Sequence, residues 1–196
     1  MVSLSRKLKM ARTKQYNEAE VIQKAMHLFW KNGYEATSMQ MLEKAMGINK
    51  FSIYSSFSNK HGLFLESLKL YRSNVSQVLD KLKKGTQGVE DIKQFFYDSV
   101  SSSFKCDNIK GCFVTNTYNE FYDKEDECIQ KQMNSFMDNL KSIIIEKLKM
   151  DTSKNEETVL KQANYLLLAK HGLAAAARVN TKKEIEDYIE MVFKNL

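Results

Sequence analysis

The chain has 196 residues, of which 43% are hydrophobic and 28% charged, with no proline and seven glycines, a composition that favours long uninterrupted helices over sheets and turns. No run approaches the roughly 18–20 apolar residues of a membrane span, no apolar segment follows the basic N-terminal residues as a secretory signal requires, and three cysteines without CxxC or HxxxH spacing exclude a disulfide framework or a zinc centre. The net charge of +6 is concentrated: residues 1–60 hold ten Lys or Arg against four Asp or Glu, and the remainder holds twenty of each. A soluble, cytoplasmic all-α protein without metal or cofactor is expected, whose N-terminal third faces a polyanion.

In chain order, residues 1–16 carry Arg6, Lys7, Lys9, Arg12 and Lys14 with no acid and read as a flexible basic arm. Asn17 with Glu20 opens a first helix, whose Val21, Ala25, Leu28 and Phe29 share a face and which Gly33 stops. Thr37 with Gln40 opens a second, barely two turns long, with Met39, Leu42, Ala45 and Met46 on one face and Gly47 at its end. Asn49 caps a third helix with Ile53, Tyr54 and Phe57 as inward candidates, and Ser58 or Asn59 caps a long fourth helix that ends before Gly85 and Gly88. Further helices are predicted at about 88–104, 111–122, 125–149, 156–178 and 182–194, which gives about nine in all.

Residues 38–57 have the features of a helix-turn-helix: two short helices, small Ala45 at their crossing, Gly47 free to turn left-handed, and Ile48 plugging the core. Asn49 opens the second helix, and that helix N-terminus together with Lys50 suits a phosphate-rich groove. The spaced run from Thr37 through Ala45, Gly47, Ile48, Ser52, Ile53, Tyr54, Phe57 and Lys60 to Leu63 resembles the TetR family of bacterial repressors over about residues 17–70.

The resemblance implies phosphate contacts from Thr37, Ser38, Tyr54 and Lys60, and base reading by the exposed positions of the third helix, here Asn49, Lys50, Phe51, Ser52 and Ser55. Phe51 departs from the small residue or proline common at its place, and Glu43 replaces an alanine. The implied organisation is a basic arm (1–16), a helix-turn-helix domain (17–62) and a helical ligand-sensing and dimerisation domain (63–196).

One such motif reads few base pairs, so a homodimer on palindromic double-stranded DNA is expected. Apolar stripes in the last two helices, including Leu166, Ala174, Ala177, Ile185, Ile189 and Val192, are predicted to form a four-helix dimer interface. The middle helices concentrate large apolar groups, among them Phe96, Phe113, Phe136 and Met137, which could line a pocket for an apolar or aromatic effector with Asn116 or His171 as polar anchors. The resemblance to the TetR family implies a DNA-binding repressor, expected to be released by such a ligand. A thiol-sensing alternative rests on Cys112, near a helix start after Lys110, with Cys106 as its resolving partner. No nucleophile elbow, HExxH or phosphate-binding glycine loop is present, so an enzyme is not expected. A helical protein-interaction adaptor would leave the N-terminal charge unexplained.

Overall fold

A computed structural model describes residues 16–101, 111–194 and 196. Among them are nine α-helices and no strand: α1 (Glu18–Asn32), α2 (Met39–Met46), α3 (Lys50–Phe57), α4 (Lys60–Lys84), α5 (Val89–Ser101), α6 (Phe113–Glu120), α7 (Glu127–Leu148), α8 (Glu156–Ala176) and α9 (Lys182–Phe193). No helix among the described residues is long and apolar enough to cross a membrane.

Short polar side chains start most of these helices by accepting the N–H groups that have no partner in the first turn. Asn17, Asn49, Asn59, Asp126 and Asn155 do so for α1, α3, α4, α7 and α8, and Thr181 forms a reciprocal capping box with Glu184 at α9. Each such cap contributes about 0.5–2 kcal/mol. At α2 the capping residue differs from the sequence expectation: Ser38, not Thr37, accepts the Met41 N–H, at 3.2 Å. Thr37 is fully buried one residue earlier, and its hydroxyl donates to the Gly33 carbonyl at 2.6 Å. Gly47 closes α2 in the left-handed region (φ 70°, ψ 22°), a conformation in which a Cβ would crowd the following carbonyl.

Two apolar clusters hold the molecule together. One joins α1 to α4 with α6 and the first half of α7, through Phe29, Leu42, Ile53, Leu63, Phe64, Phe113 and Met133. The other joins α5, α7, α8 and α9 through Ile92, Phe96, Ile144, Leu166 and Ile189. Fully burying each such side chain stabilises by about 1.5–3 kcal/mol. The 25-residue α4, ~37 Å long at 1.5 Å per residue, contributes Leu63 and Phe64 to the first cluster and Leu82 to the second. Packing thus runs without a break past the expected boundary at 62.

The expected dimer-interface residues are placed otherwise. Leu166, Ala174, Ala177, Ile185, Ile189 and Val192 are all buried inside the chain, where α8 and α9 face α5 and α7. Helical periodicity finds the apolar stripe but does not say whether it meets its own chain or a second copy. The apolar residues left exposed on these two helices and just beyond them are Leu160, Tyr165, Leu168, Val179, Tyr188 and Met191.

Candidate nucleic-acid interface

The helix α3 is anchored on one side and bare on the other. Ile53 and Phe57 are buried in the first cluster, whereas Lys50, Phe51, Tyr54 and Ser55 face outward, with Phe51 76% and Tyr54 41% exposed. The Lys50 ammonium lies 5.6 Å from the centre of the Tyr54 ring, so a cation and a hydroxyl-bearing ring share one patch. Ser38 and Asn49 are exposed beside it, and Ser52 is half-buried.

Three features depart from what the sequence suggested. Thr37, a proposed phosphate contact, is buried and its hydroxyl is already engaged, so it cannot reach a phosphate. The N-terminus of α3 is not open to an anion either: the Glu43 carboxylate accepts the Lys50 N–H, and Asn49 Oδ1 accepts the Ser52 N–H at 2.8 Å. Lys60 is half-buried with its ammonium 4.3 Å from the centre of the Tyr34 ring, and this burial pulls its pKa down against the opposing pull of Glu35 and Glu120. Its charge is directed at the α6–α7 corner rather than into the open face of α3.

Tyr16, read from sequence as the end of a flexible arm, is half-buried. Its hydroxyl is 2.5 Å from Ser56 Oγ and donates to the Ser52 carbonyl at 3.4 Å, which ties the base of the arm to the back of α3. Residues 1–15 of that arm lie outside the described residues.

The helix-turn-helix is clamped from behind by the α6–α7 corner. Both Glu120 oxygens accept backbone N–H groups of the α1–α2 loop, from Tyr34 and Glu35 at 2.8 Å each. Lys124 pairs with Glu35 at 2.6 Å, and His61 at the start of α4 meets Asp126 at 2.8 Å. The Lys124 hydrogen bond holds the Glu35 carboxyl below its usual range. None of these partners, 65–89 residues apart, could be read from local spacing.

Behind the clamp lies a cavity of about 290 Å³ lined by residues of α1, α4, α5, α6, α7 and α8. Of the predicted effector contacts, Phe136, Met137 and His171 line it, with His171 Nε2 3.2 Å from Met137 Sδ. Burial and the adjacent Lys170 lower the His171 pKa. The other three do not line it. Phe96 packs edge-on to Phe193 in the second cluster, Phe113 is enclosed in the first, and Asn116 faces a separate surface groove near Glu120. Cys112 is half-buried on the cavity wall, where its sulfur accepts a bond from the Tyr71 hydroxyl at 3.5 Å. Cys106 lies outside the described residues.

Trp30, Tyr71 and Lys170 also line the cavity, and sequence reasoning passed over them. A signal existed for Lys170, which falls four residues after Leu166 and three before Leu173, on the apolar stripe of α8.

A short two-helix reader with one bare face, carried on a larger helical bundle with an internal cavity, defines a helix-turn-helix protein with an appended helical domain. Residues 21–67 match the family model described as bacterial regulatory proteins, tetR family. The chain is 30% identical over 109 residues to the uncharacterized HTH-type transcriptional regulator YezE of Bacillus subtilis, covering 55% of this chain and 56% of that one. It is 33% identical over 107 residues to the HTH-type transcriptional repressor ComR of Escherichia coli, covering 54% and 51%. These matches thus span about half the length of either relative. In fold it is similar to a CifR cysteine mutant complexed with 26bp double-strand operator DNA (TM-score 0.82, 22% identity, 94% and 99% covered). It is also similar to a TetR transcriptional regulator from Legionella pneumophila (TM-score 0.76, 18% identity, 96% and 100% covered). Over its N-terminal helices the chain is thus similar to the TetR family, and in fold it is similar to TetR-family structures along nearly its whole length.

Proposed function

We propose that this protein is a transcriptional repressor that grips a palindromic operator as a homodimer and releases it when a small molecule enters the cavity. The observation that carries the DNA-binding part is the outward face of α3, where Lys50, Phe51, Tyr54 and Ser55 project from a helix whose opposite face is locked in the core. A helix so mounted can enter the major groove, with Lys50 and Ser55 at base edges and Tyr54 and Ser38 at phosphates. The match of residues 21–67 to the tetR family model and the operator complex of a protein similar in fold support this reading.

Two such helices must be spaced about one or more DNA turns apart, ~34 Å. The surface offered for pairing is the outer side of α8 and α9, where Tyr165, Leu168, Tyr188 and Met191 stand exposed, with Val179 just past the end of α8. Exposed Gly172 and Ala175 between them let a second helix approach closely.

For release, α6 is the natural lever. Cys112 at its start lines the cavity, and Glu120 at its end holds the helix-turn-helix loop. An aromatic chain runs beside it, from Trp30 to Tyr71, Phe113, Phe64 and Phe121, with neighbouring ring centres 5.0–5.6 Å apart. Among the described residues the N-cap of α6 makes no side-chain bond, and the Asn116 amide nitrogen and Thr117 hydroxyl are buried without partners. A ligand that favours one position of α6 over another would shift the recognition helices by the same differential affinity.

A second reading, that Cys112 senses oxidants or electrophiles, is favoured by its position on the cavity wall, where an entering reagent meets the sulfur. The test of the main proposal is selection of bound fragments from a duplex library, repeated with small molecules and with a thiol oxidant. A recovered palindrome lost on ligand addition supports it; recovery of no preferred sequence refutes it.

A further inference from the structure

Two lysines are buried among the described residues, and they are treated differently by their surroundings. Lys147 is structural: its ammonium donates to the carbonyls of Lys83, at 3.1 Å, and Gly85, and faces Asp91 at 3.6 Å. Lys170, 7% exposed on the cavity wall, has no carboxylate within ion-pair distance and no hydrogen-bond acceptor among the described residues. Its ammonium lies 5.9 Å from the centre of the Phe95 ring, and Cys112 is a further neighbour that favours its charge. The one carboxylate lining the cavity, Asp98, is already held by Lys81 at 2.6 Å and by the Gln94 amide at 2.8 Å. Trp30, also on the wall, has its indole N–H buried with no acceptor.

An unpaired ammonium in a largely apolar cavity is costly, and none of the described residues supplies the counter-charge that would normally accompany it. Two donors on the cavity wall, the Lys170 ammonium and the Trp30 N–H, therefore stand without acceptors among the described residues, beside the apolar Val75, Val78, Leu79 and Leu140. We infer that the ligand of this cavity is an amphipathic organic anion: a carboxylate that pairs with Lys170, attached to an alkyl or aryl body that fills the apolar walls. This narrows the apolar or aromatic ligand of the proposed function and rests on that reading for its regulatory meaning. Desolvation lowers the Lys170 pKa, so a carboxylate placed beside it restores the conditions that favour its charge. At about 290 Å³ the site lies just below the ~300–1,000 Å³ range of small-molecule pockets, which fits a compact acid rather than a long-chain lipid.

The test uses the full chain and two probes of different shape, decanoate and 4-phenylbutyrate, each compared with its alcohol and amine counterparts by titration calorimetry. Trp30, the single tryptophan, reports occupancy of the cavity through its emission. At least one acid should bind tenfold or more tightly than its alcohol and amine. Lys170→Met should remove that preference while leaving alcohol binding intact, and Lys170→Arg should keep it. Equal affinity for acid and alcohol, no binding by either acid, or an unchanged preference in Lys170→Met would overturn the ligand class. Anisotropy of labelled operator DNA separates the two claims: an acid that binds through Lys170 without altering DNA affinity upholds the ligand class and refutes the effector role.

Discussion

The carboxylate of Glu120 accepts the backbone N–H of Tyr34 at 2.8 Å, a bond that joins the end of α6 to the loop entering the helix-turn-helix, 86 residues away. With the second bond to Glu35 it satisfies two adjacent donors with one side chain, and Gly33 leaves room for it, since a Cβ there would come within 3.0 Å of the carboxylate. Glu120→Ala leaves both donors to solvent or unpaired, at about 1–3 kcal/mol. Thermal melts should show a loss of several degrees, at ~2–4 °C per kcal/mol for a chain this size. Amide exchange at Tyr34 and Glu35 should accelerate. Unchanged exchange at both amides would contradict the clamp.

Glu43 places a carboxylate on the same side as the proposed groove-facing N-terminus of α3, where it accepts the Lys50 N–H. Glu43→Ala removes a negative charge that opposes phosphate and frees that N–H. Affinity for random duplex DNA should rise severalfold, with a steeper salt dependence, while stability falls by about 1 kcal/mol from the lost cap. A variant that binds random DNA no better than the parent would place Glu43 away from the nucleic acid.

The two faces of α8 make opposite predictions. Leu168, 70% exposed, lies on the side proposed to meet a second copy, and Leu168→Glu should give a folded monomer in sedimentation, with much weakened operator binding. Ala174, 2% exposed, lies in the interior, and Ala174→Glu should unfold the chain because a carboxylate would be buried without a partner. A dimeric Leu168→Glu protein, or a folded and monomeric Ala174→Glu protein, would reverse the assignment of the faces.

Lys170 carries a stability consequence independent of any ligand. Replacing an unpaired buried cation with an apolar side chain of similar length removes a desolvation penalty, so Lys170→Met should raise the melting temperature of the ligand-free protein, by about 1–4 kcal/mol equivalent. A fall in melting temperature would mean that the ammonium has a partner that holds the fold together.

Local pattern carried most of the fold into view before any coordinates. Helix starts at Asn17 and Asn49, a fourth-helix start at Ser58 or Asn59, the stop at Gly47, and the order of the nine helices among the described residues follow from capping chemistry and 3.6-residue periodicity, which act within a few residues; the structure selects Asn59. Thr37 and Ser38 are both good caps, and spacing could not say which hydroxyl would turn inward. Leu166, Ile185 and Ile189 mark an apolar stripe, but a stripe does not name its partner. Phe96, Phe113 and Phe136 are equally apolar, and only the packing of α5, α6 and α7 decides that Phe136 alone lines the cavity. Glu120 and Lys170 were least legible, because their roles depend on groups brought together by the tertiary fold.

The central claim is that the outward face of α3 holds duplex DNA through its phosphates and bases, and anisotropy of a selected duplex across ~50–200 mM salt tests it most directly. For a dimer making 6–10 phosphate contacts, affinity should fall by about 10³–10⁵ over that range. Lys50→Glu with Ser55→Glu, both at exposed positions, should abolish binding without disturbing the fold. A flat salt response, or a double variant that binds as tightly as the parent, would contradict the account.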